Sequence, residues 1–100
     1  MNLAEHTVRT GATMLDQREP GWRNRINTQT LDISSVSRCI LGQLYDNYSI
    51  GLTRLTGTTD RPTRTEFSRQ HGFHCQPSLG ITNPILDRAW AEEITKGREN

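Results

Sequence analysis

Residues 31–55, LDISSVSRCILGQLYDNYSIGLTRL, contain half of the chain's leucine, isoleucine and valine residues in a quarter of its length. Apolar positions recur here at helical spacing. One stripe runs through Val36, Ile40 and Leu44, and a second runs through Leu41, Tyr45, Tyr48, Leu52 and Leu55. Because a helix that is apolar on two sides is typically buried, we predict that a helix over residues 33–46 is the most buried element of a mainly α fold.

Polar residues mark both ends of this predicted helix. Asp32 and the serines after Ile33 can accept hydrogen bonds from the backbone N–H groups of a first turn, so the helix is expected to start near Ile33. The side chains of Asp46 and Asn47 can bond nearby backbone and tolerate a left-handed conformation. They predict a break near residue 46, followed by a shorter helix. The alternative is an α+β fold in which residues 48–52, YSIGL, form a short hairpin with the segment around Phe73.

Gly42 and Gln43 interrupt the central apolar run. Glycine inside a helix costs about 1 kcal/mol relative to alanine, so we expect another segment to approach closely at Gly42. The Gln43 amide has two interpretations. It is satisfied by a neighbouring backbone group, or it lines a pocket near Gly42 together with Asp32 and Trp22.

The length of 100 residues predicts one small domain over residues 1–100, which buries a little over 60% of its unfolded surface. Leucine, isoleucine, valine and phenylalanine account for only 20 residues, but a net charge of +1 argues against disorder of the whole chain. We therefore expect a marginally stable domain that gains stability from a partner or from a homo-oligomer.

Charge and hydropathy bear on partners and location. Basic and acidic residues are evenly mixed along the chain, so nucleic acid is not an expected partner. Arginine outnumbers lysine 11 to 1, which we attribute to a GC-rich genome. The sequence has neither the pattern of a signal peptide nor an apolar run of about 18 residues. A cytoplasmic location without membrane association is the resulting expectation.

Two further helices are predicted on either side of the central stretch. Over residues 2–18 the stripe is narrow and made largely of small residues, which indicates close packing. Over residues 84–96 the helix starts at Asn83-Pro84 and ends at Gly97. The apolar positions are Ala4, Val8, Gly11, Ala12 and Leu15 in the first helix, and Leu86, Ala89, Trp90 and Ile94 in the second.

Trp22 and Ile26 lie four residues apart, on the same side of a predicted short helical segment. Tryptophan at such a position is either a core anchor or an exposed hot spot for binding a partner.

Residues 56–70 contain one large apolar residue, Phe67, and are predicted to form a long irregular, mobile loop that is dispensable for folding. The functional alternative is a contact surface. Arg61, Arg64 and Arg69 can each pair with phosphates or carboxylates through the guanidinium fork.

His71, His74 and Cys75 lie close together in sequence and can be joined by Cys39. The H-x-x-H-C spacing does not match that of known zinc sites, so we predict neither a metal nor another cofactor. No third group or oxyanion loop completes a catalytic arrangement, so an enzyme is not predicted. Cys39 is expected to be buried and inert, and Cys75 reactive.

A series of short motifs extends along most of the chain. They are GAxxLDxxxPGWxxxI at 11–26, LDIS at 31–34, CILGQLYxxYxxGL at 39–52, GF at 72–73 and AWxxEI at 89–94. Together they resemble a family of small uncharacterised proteins of actinobacterial genomes and their phages. The resemblance implies a cytosolic accessory protein, encoded by a phage or prophage, and implies no activity or cofactor.

Two functions follow from the sequence. The first is a small accessory protein that binds a protein partner through residues such as Trp22, Arg61, Arg64 and Arg69. The second is a regulator that binds a small molecule or nucleotide near Gly42 and Gln43.

Overall fold

The computed structural model of the chain describes residues 2–98 in full and the backbone of Glu99. Within these residues the chain forms helices and turns, with one isolated bridge between Gln76 and Ile81 and no strand. The mainly α prediction is confirmed. The hairpin alternative is wrong, because residues 48–52 begin a helix. The α-helices are α1 (Leu3–Arg18), α2 (Ile40–Tyr45), α3 (Tyr48–Thr56), α4 (Arg61–Gln70) and α5 (Asn83–Glu99), and 3-10 turns occur at Trp22–Arg25 and Pro77–Leu79.

Helix α1 matches its predicted bounds and its predicted buried face. The Asn2 side chain caps it by accepting a hydrogen bond from the Glu5 backbone N–H at 2.8 Å. The small residues allow another segment to approach. A Cβ atom on Gly11 would lie 2.1 Å from the carbonyl oxygen of His71, so only glycine fits there.

Helix α5 buries Leu86, Ala89, Trp90 and Ile94, as predicted. The prediction that Gly97 ends the helix is wrong, since the helix continues to Glu99. A Cβ atom on Gly97 would lie 1.9 Å from Nε of Arg23. Gly97 therefore makes room for a neighbouring side chain and does not terminate the helix.

Three aromatic residues, Trp22, Phe73 and Trp90, form a cluster beside α1 and α5 that we call the aromatic core. The Trp22 and Trp90 rings meet edge to face at 5.8 Å, and the Phe73 ring stacks on Trp90 at 5.5 Å. All three aromatic residues are buried.

The predicted helix over 33–46 is wrong in its first half, because α2 begins only at Ile40. Residues 31–39 form turns, and Val36, expected in the core, is 66% exposed. Local side chains account for this difference. Asp32 accepts a hydrogen bond from the Ser34 backbone N–H, and the Ser35 hydroxyl accepts one from the Arg38 backbone N–H. Such bonds give the backbone an alternative to the helix.

The predicted break after this helix is confirmed. Asp46 has a positive φ of 78°, and Asn47 caps α3 by accepting a hydrogen bond from the Ile50 N–H at 2.8 Å. The close approach predicted at Gly42 is also present. A Cβ atom there would lie 2.5 Å from the carbonyl oxygen of Val36.

The prediction of an irregular loop over 56–70 is wrong in its second part, because Arg61–Gln70 is helical. Asp60 caps the helix by accepting a hydrogen bond from the Thr63 N–H, and Pro62 lies in its first turn, where proline is tolerated. Helix α4 is anchored by few contacts: Ser68 is fully buried, and Phe67 packs against the core.

Candidate functional site

Trp22 is a core residue. Its indole N–H donates a hydrogen bond to Asp16 at 2.8 Å, and the Arg23 guanidinium lies 4.7 Å from the centre of its ring. Its side chain is 1% exposed, so the interpretation of Trp22 as a core anchor is confirmed and it presents no surface to a partner.

The Gln43 amide is satisfied by backbone groups, which confirms the first of its two interpretations. Its oxygen accepts a hydrogen bond from the Asn27 N–H at 2.7 Å, and its nitrogen donates to the carbonyl of Arg38 at 2.9 Å. The carbonyl of Arg38 also accepts a hydrogen bond from the Asp32 backbone N–H. Asp32 and Gln43 are thus joined through one peptide group, as parts of a folded turn.

The carboxylate of Asp32 is engaged in the same turn. Hydrogen bonds from the hydroxyl and the backbone N–H of Ser34 lower the pKa of Asp32, and the Arg38 guanidinium lies 3.7 Å away. Since the space at Gly42 is filled by the backbone of residues 36–37, this geometry gives no support to a ligand pocket built from Trp22, Asp32 and Gln43.

The three arginines of α4 differ in their contacts. Arg61 and Arg69 are exposed. Arg64 instead donates to the carbonyl of Ser49 at 3.1 Å and to its hydroxyl at 2.7 Å, so it connects α4 to the first turn of α3.

Cys39 and His71 serve the local structure. The Cys39 sulfur accepts a hydrogen bond from the Gly42 N–H at 3.3 Å and caps α2. The His71 ring stacks on Phe67 at 4.1 Å and bonds the Phe67 carbonyl. Within residues 2–98, His, Cys, Asp and Glu side chains form no group of three that could hold a metal ion.

An exposed apolar surface lies where α1, α5 and the 3-10 turn at Pro77–Leu79 meet. Leu3, Leu79 and Ile85 are 55%, 54% and 43% exposed, and all three line one cavity of about 790 Å³. We call these three residues the apolar face. They are three of only five large apolar side chains exposed among the residues that the structure describes.

Sequence reasoning missed the apolar face, although part of its signal was present. Leu3 directly precedes the buried Ala4, and Ile85 directly precedes the buried Leu86. Each pair widens the apolar stripe at the first turn of its helix. Leu79 lies outside every predicted element, so its position beside them depends on the tertiary fold.

The apolar face continues into a groove between α1 and α5. Cavities of about 420 Å³ and 520 Å³ follow the first, and each shares lining residues with the one before it. The buried residues Ala4, Val8 and Ala89 form the floor of this α1–α5 groove. Charged residues form its walls: Glu5 and Arg9 on α1, and Arg88, Glu92 and Lys96 on α5.

No helix within residues 2–99 combines the length and the apolar character needed to cross a membrane. No family model, curated protein or solved structure matches the chain.

Proposed function

We propose that this protein is a small interaction module that binds a protein partner through its apolar face. The observation that carries the proposal is the clustering of Leu3, Leu79 and Ile85 around one cavity. Scattered exposed leucines need no explanation, but an apolar cluster with polar surroundings is typical of a surface that binds another protein.

The rim around the apolar face supports a reversible contact. Asn2 and His6 line the same cavity beside the apolar side chains, so the cluster has a polar border. Each of the three anchors lies on a different element, and α1 and α5 are tied to the aromatic core. Leu3 and Ile85 are therefore held in place by α1 and α5 before binding, which lowers the entropy lost on association.

The proposed setting follows from the sequence resemblance. The protein acts in the cytoplasm of an actinobacterial cell, as an accessory protein of phage or prophage origin. A cytoplasmic partner is consistent with one half-buried and one buried free thiol.

Site-specific photocrosslinking tests this proposal. A photoreactive phenylalanine analogue replaces Leu79 in the full chain, and the protein is irradiated in actinobacterial cells. The matched control carries the same analogue at Ile50, which is 45% exposed on α3, away from the apolar face.

We expect a discrete crosslinked partner from position 79, absent from position 50, and lost when Ile85→Glu is added. The same crosslinks from both positions, or crosslinks that survive Ile85→Glu, would contradict the proposal.

A further inference from the structure

We infer that the α1–α5 groove accepts a single amphipathic helix of the partner, with its apolar ridge on the groove floor. This inference rests on the proposed function and names the class of partner that the same surface takes.

The size of the groove fits a short helix. Its α5 wall runs from Pro84 to Lys96, and 12 residues of helix at 1.5 Å per residue span about 18 Å. A bound helix of three to four turns covers that length and places its first apolar side chains on Leu79 and Ile85. Its remaining apolar side chains, spaced three and four residues apart, meet the small residues of the floor.

The walls carry charges that are free to pair with such a helix. Arg88, Glu92 and Lys96 lie four residues apart along one side of α5. Within the described residues none of them, nor Arg9, lies within 4.0 Å of an opposite charge. Along α5 the wall is basic at Arg88, acidic at Glu92 and basic at Lys96. The complementary flank of the partner helix is therefore acidic, basic and acidic. This order is the same whether the partner helix runs parallel or antiparallel to α5.

A second copy of this chain fits the groove poorly. In a two-fold pair the same surface faces itself, so the charged walls would meet each other and no apolar ridge would enter the small-residue floor. The occupant must supply a convex apolar ridge, which the walls of this groove lack.

A displayed peptide library tests the inference with short peptides in place of the partner. Peptides of about 14 residues carry apolar positions at helical spacing with randomised flanks, and a matched library has the same composition in strict alternation. We expect selection on the full chain to enrich only the helical library, with acidic residues flanking a basic one.

Charge reversal then tests the pairing of charges between the α5 wall and the peptide. Arg88→Glu with Lys96→Glu makes the wall acidic at positions 88, 92 and 96. It is expected to weaken the selected peptides about tenfold and to favour peptides whose flank is basic throughout. The control is Arg54→Glu with Arg61→Glu, which changes the net charge by the same amount at exposed positions on α3 and α4. It should leave peptide binding unchanged.

Filling the groove separates this inference from the proposed function. Glu92→Trp places a large side chain in the middle of the groove at an exposed position, and Glu66→Trp is its control on α4. Loss of peptide binding in Glu92→Trp, with binding kept in Glu66→Trp, supports the inference that a helix occupies the groove. If Glu92→Trp and the charge reversal have no effect, the helix inference is overturned, while a partner crosslinked at position 79 leaves the proposed function standing.

Two other outcomes would also overturn the inference. The first is enrichment of the alternating library. The second is concentration-dependent dimerisation in sedimentation that Ile85→Glu abolishes, because a second copy would then occupy the groove.

Discussion

The indole N–H of Trp90 donates a hydrogen bond to the carbonyl oxygen of Gly72 at 2.6 Å. Trp90 belongs to α5, and Gly72 lies in the turn that follows α4. Gly72 has a φ of 75°, and a Cβ atom on it would lie 3.0 Å from the backbone of Val8 in α1. The turn after α4 is thus bonded to α5 through Trp90 and packs against α1 at Val8. It contacts both helices that form the groove.

Replacing Trp90 with phenylalanine should strongly destabilise the fold. The buried carbonyl of Gly72 loses its donor, and a cavity remains beside Phe73, so we expect a loss of roughly 2–4 kcal/mol in the free energy of unfolding. Trp22→Phe is the comparison, because its partner Asp16 has a 48% exposed side chain that water can reach. Urea unfolding should give a smaller loss for Trp22→Phe, and equal losses would contradict the importance assigned to the Gly72 bond.

The packing of α4 can be tested at the contact between the Tyr48 and Ser68 hydroxyl groups. Ser68→Ala removes the buried partner of the Tyr48 hydroxyl and should cost about 1–2 kcal/mol. Tyr48→Phe removes the other half of the pair. We expect the double variant to lose less free energy of unfolding than the sum of the losses in the two single variants, with a coupling energy of about 1 kcal/mol. The mobile loop predicted from the sequence requires a coupling near zero.

Stability should fall at alkaline pH because of Tyr45. Burial, and then its hydrogen bond to Glu19, raise the pKa of Tyr45 from 10.0 to about 12. Below pH 10 the phenol is protonated in both the folded and unfolded states. Between pH 10 and 12 the unfolded state loses the proton first, so the stabilising contribution of Tyr45 is lost over that window.

Urea midpoints at pH 9 and at pH 11 measure this effect. The urea midpoint should fall less between pH 9 and pH 11 in Tyr45→Phe than in the wild type. An identical fall in both proteins would show that other groups cause it, such as Tyr48, whose pKa burial also raises.

The two thiols should react at different rates. Cys39 is 2% exposed, and burial raises the pKa of its thiol, whereas Cys75 is half-buried and lines a cleft of about 270 Å³ with Tyr48. Timed alkylation should label Cys75 first and Cys39 only on unfolding. Burial, and then the nearby Arg69, lower the pKa of His74, which disfavours a positive charge on the imidazole beside Cys75. Equal rates for the two thiols would contradict the burial of Cys39.

The flanking helices could be predicted because each carries one regular apolar stripe that remains in the core. Residues 31–39 could not, because Val36 continues the helical spacing while the side chains of Asp32 and Ser35 hold the backbone in turns. Helix α4 carries a cap and a proline that the sequence displays, but its single large apolar residue favoured a loop. Its anchors, Ser68 and Arg64, are polar residues whose burial or bonding only the tertiary structure reveals.

The candidate site was less predictable than the fold. Trp22, Asp32 and Gln43 stand out in the sequence as unusual residues near apolar ones, and each is used by the fold itself. The apolar face combines residues 3, 79 and 85, which are distant in sequence and adjacent only because the first turns of α1 and α5 lie side by side.

Calorimetric titration of the crosslinked partner measures how far binding depends on the apolar face, with the wild type, Ile85→Glu and Ile50→Glu compared under identical conditions. The two substitutions add the same charge at helical positions of similar exposure, 43% and 45%. If the apolar face binds the partner, the affinity should be at least about tenfold weaker for Ile85→Glu and unchanged for Ile50→Glu. Equal affinity for all three proteins, or a greater loss in Ile50→Glu, would contradict binding through the apolar face.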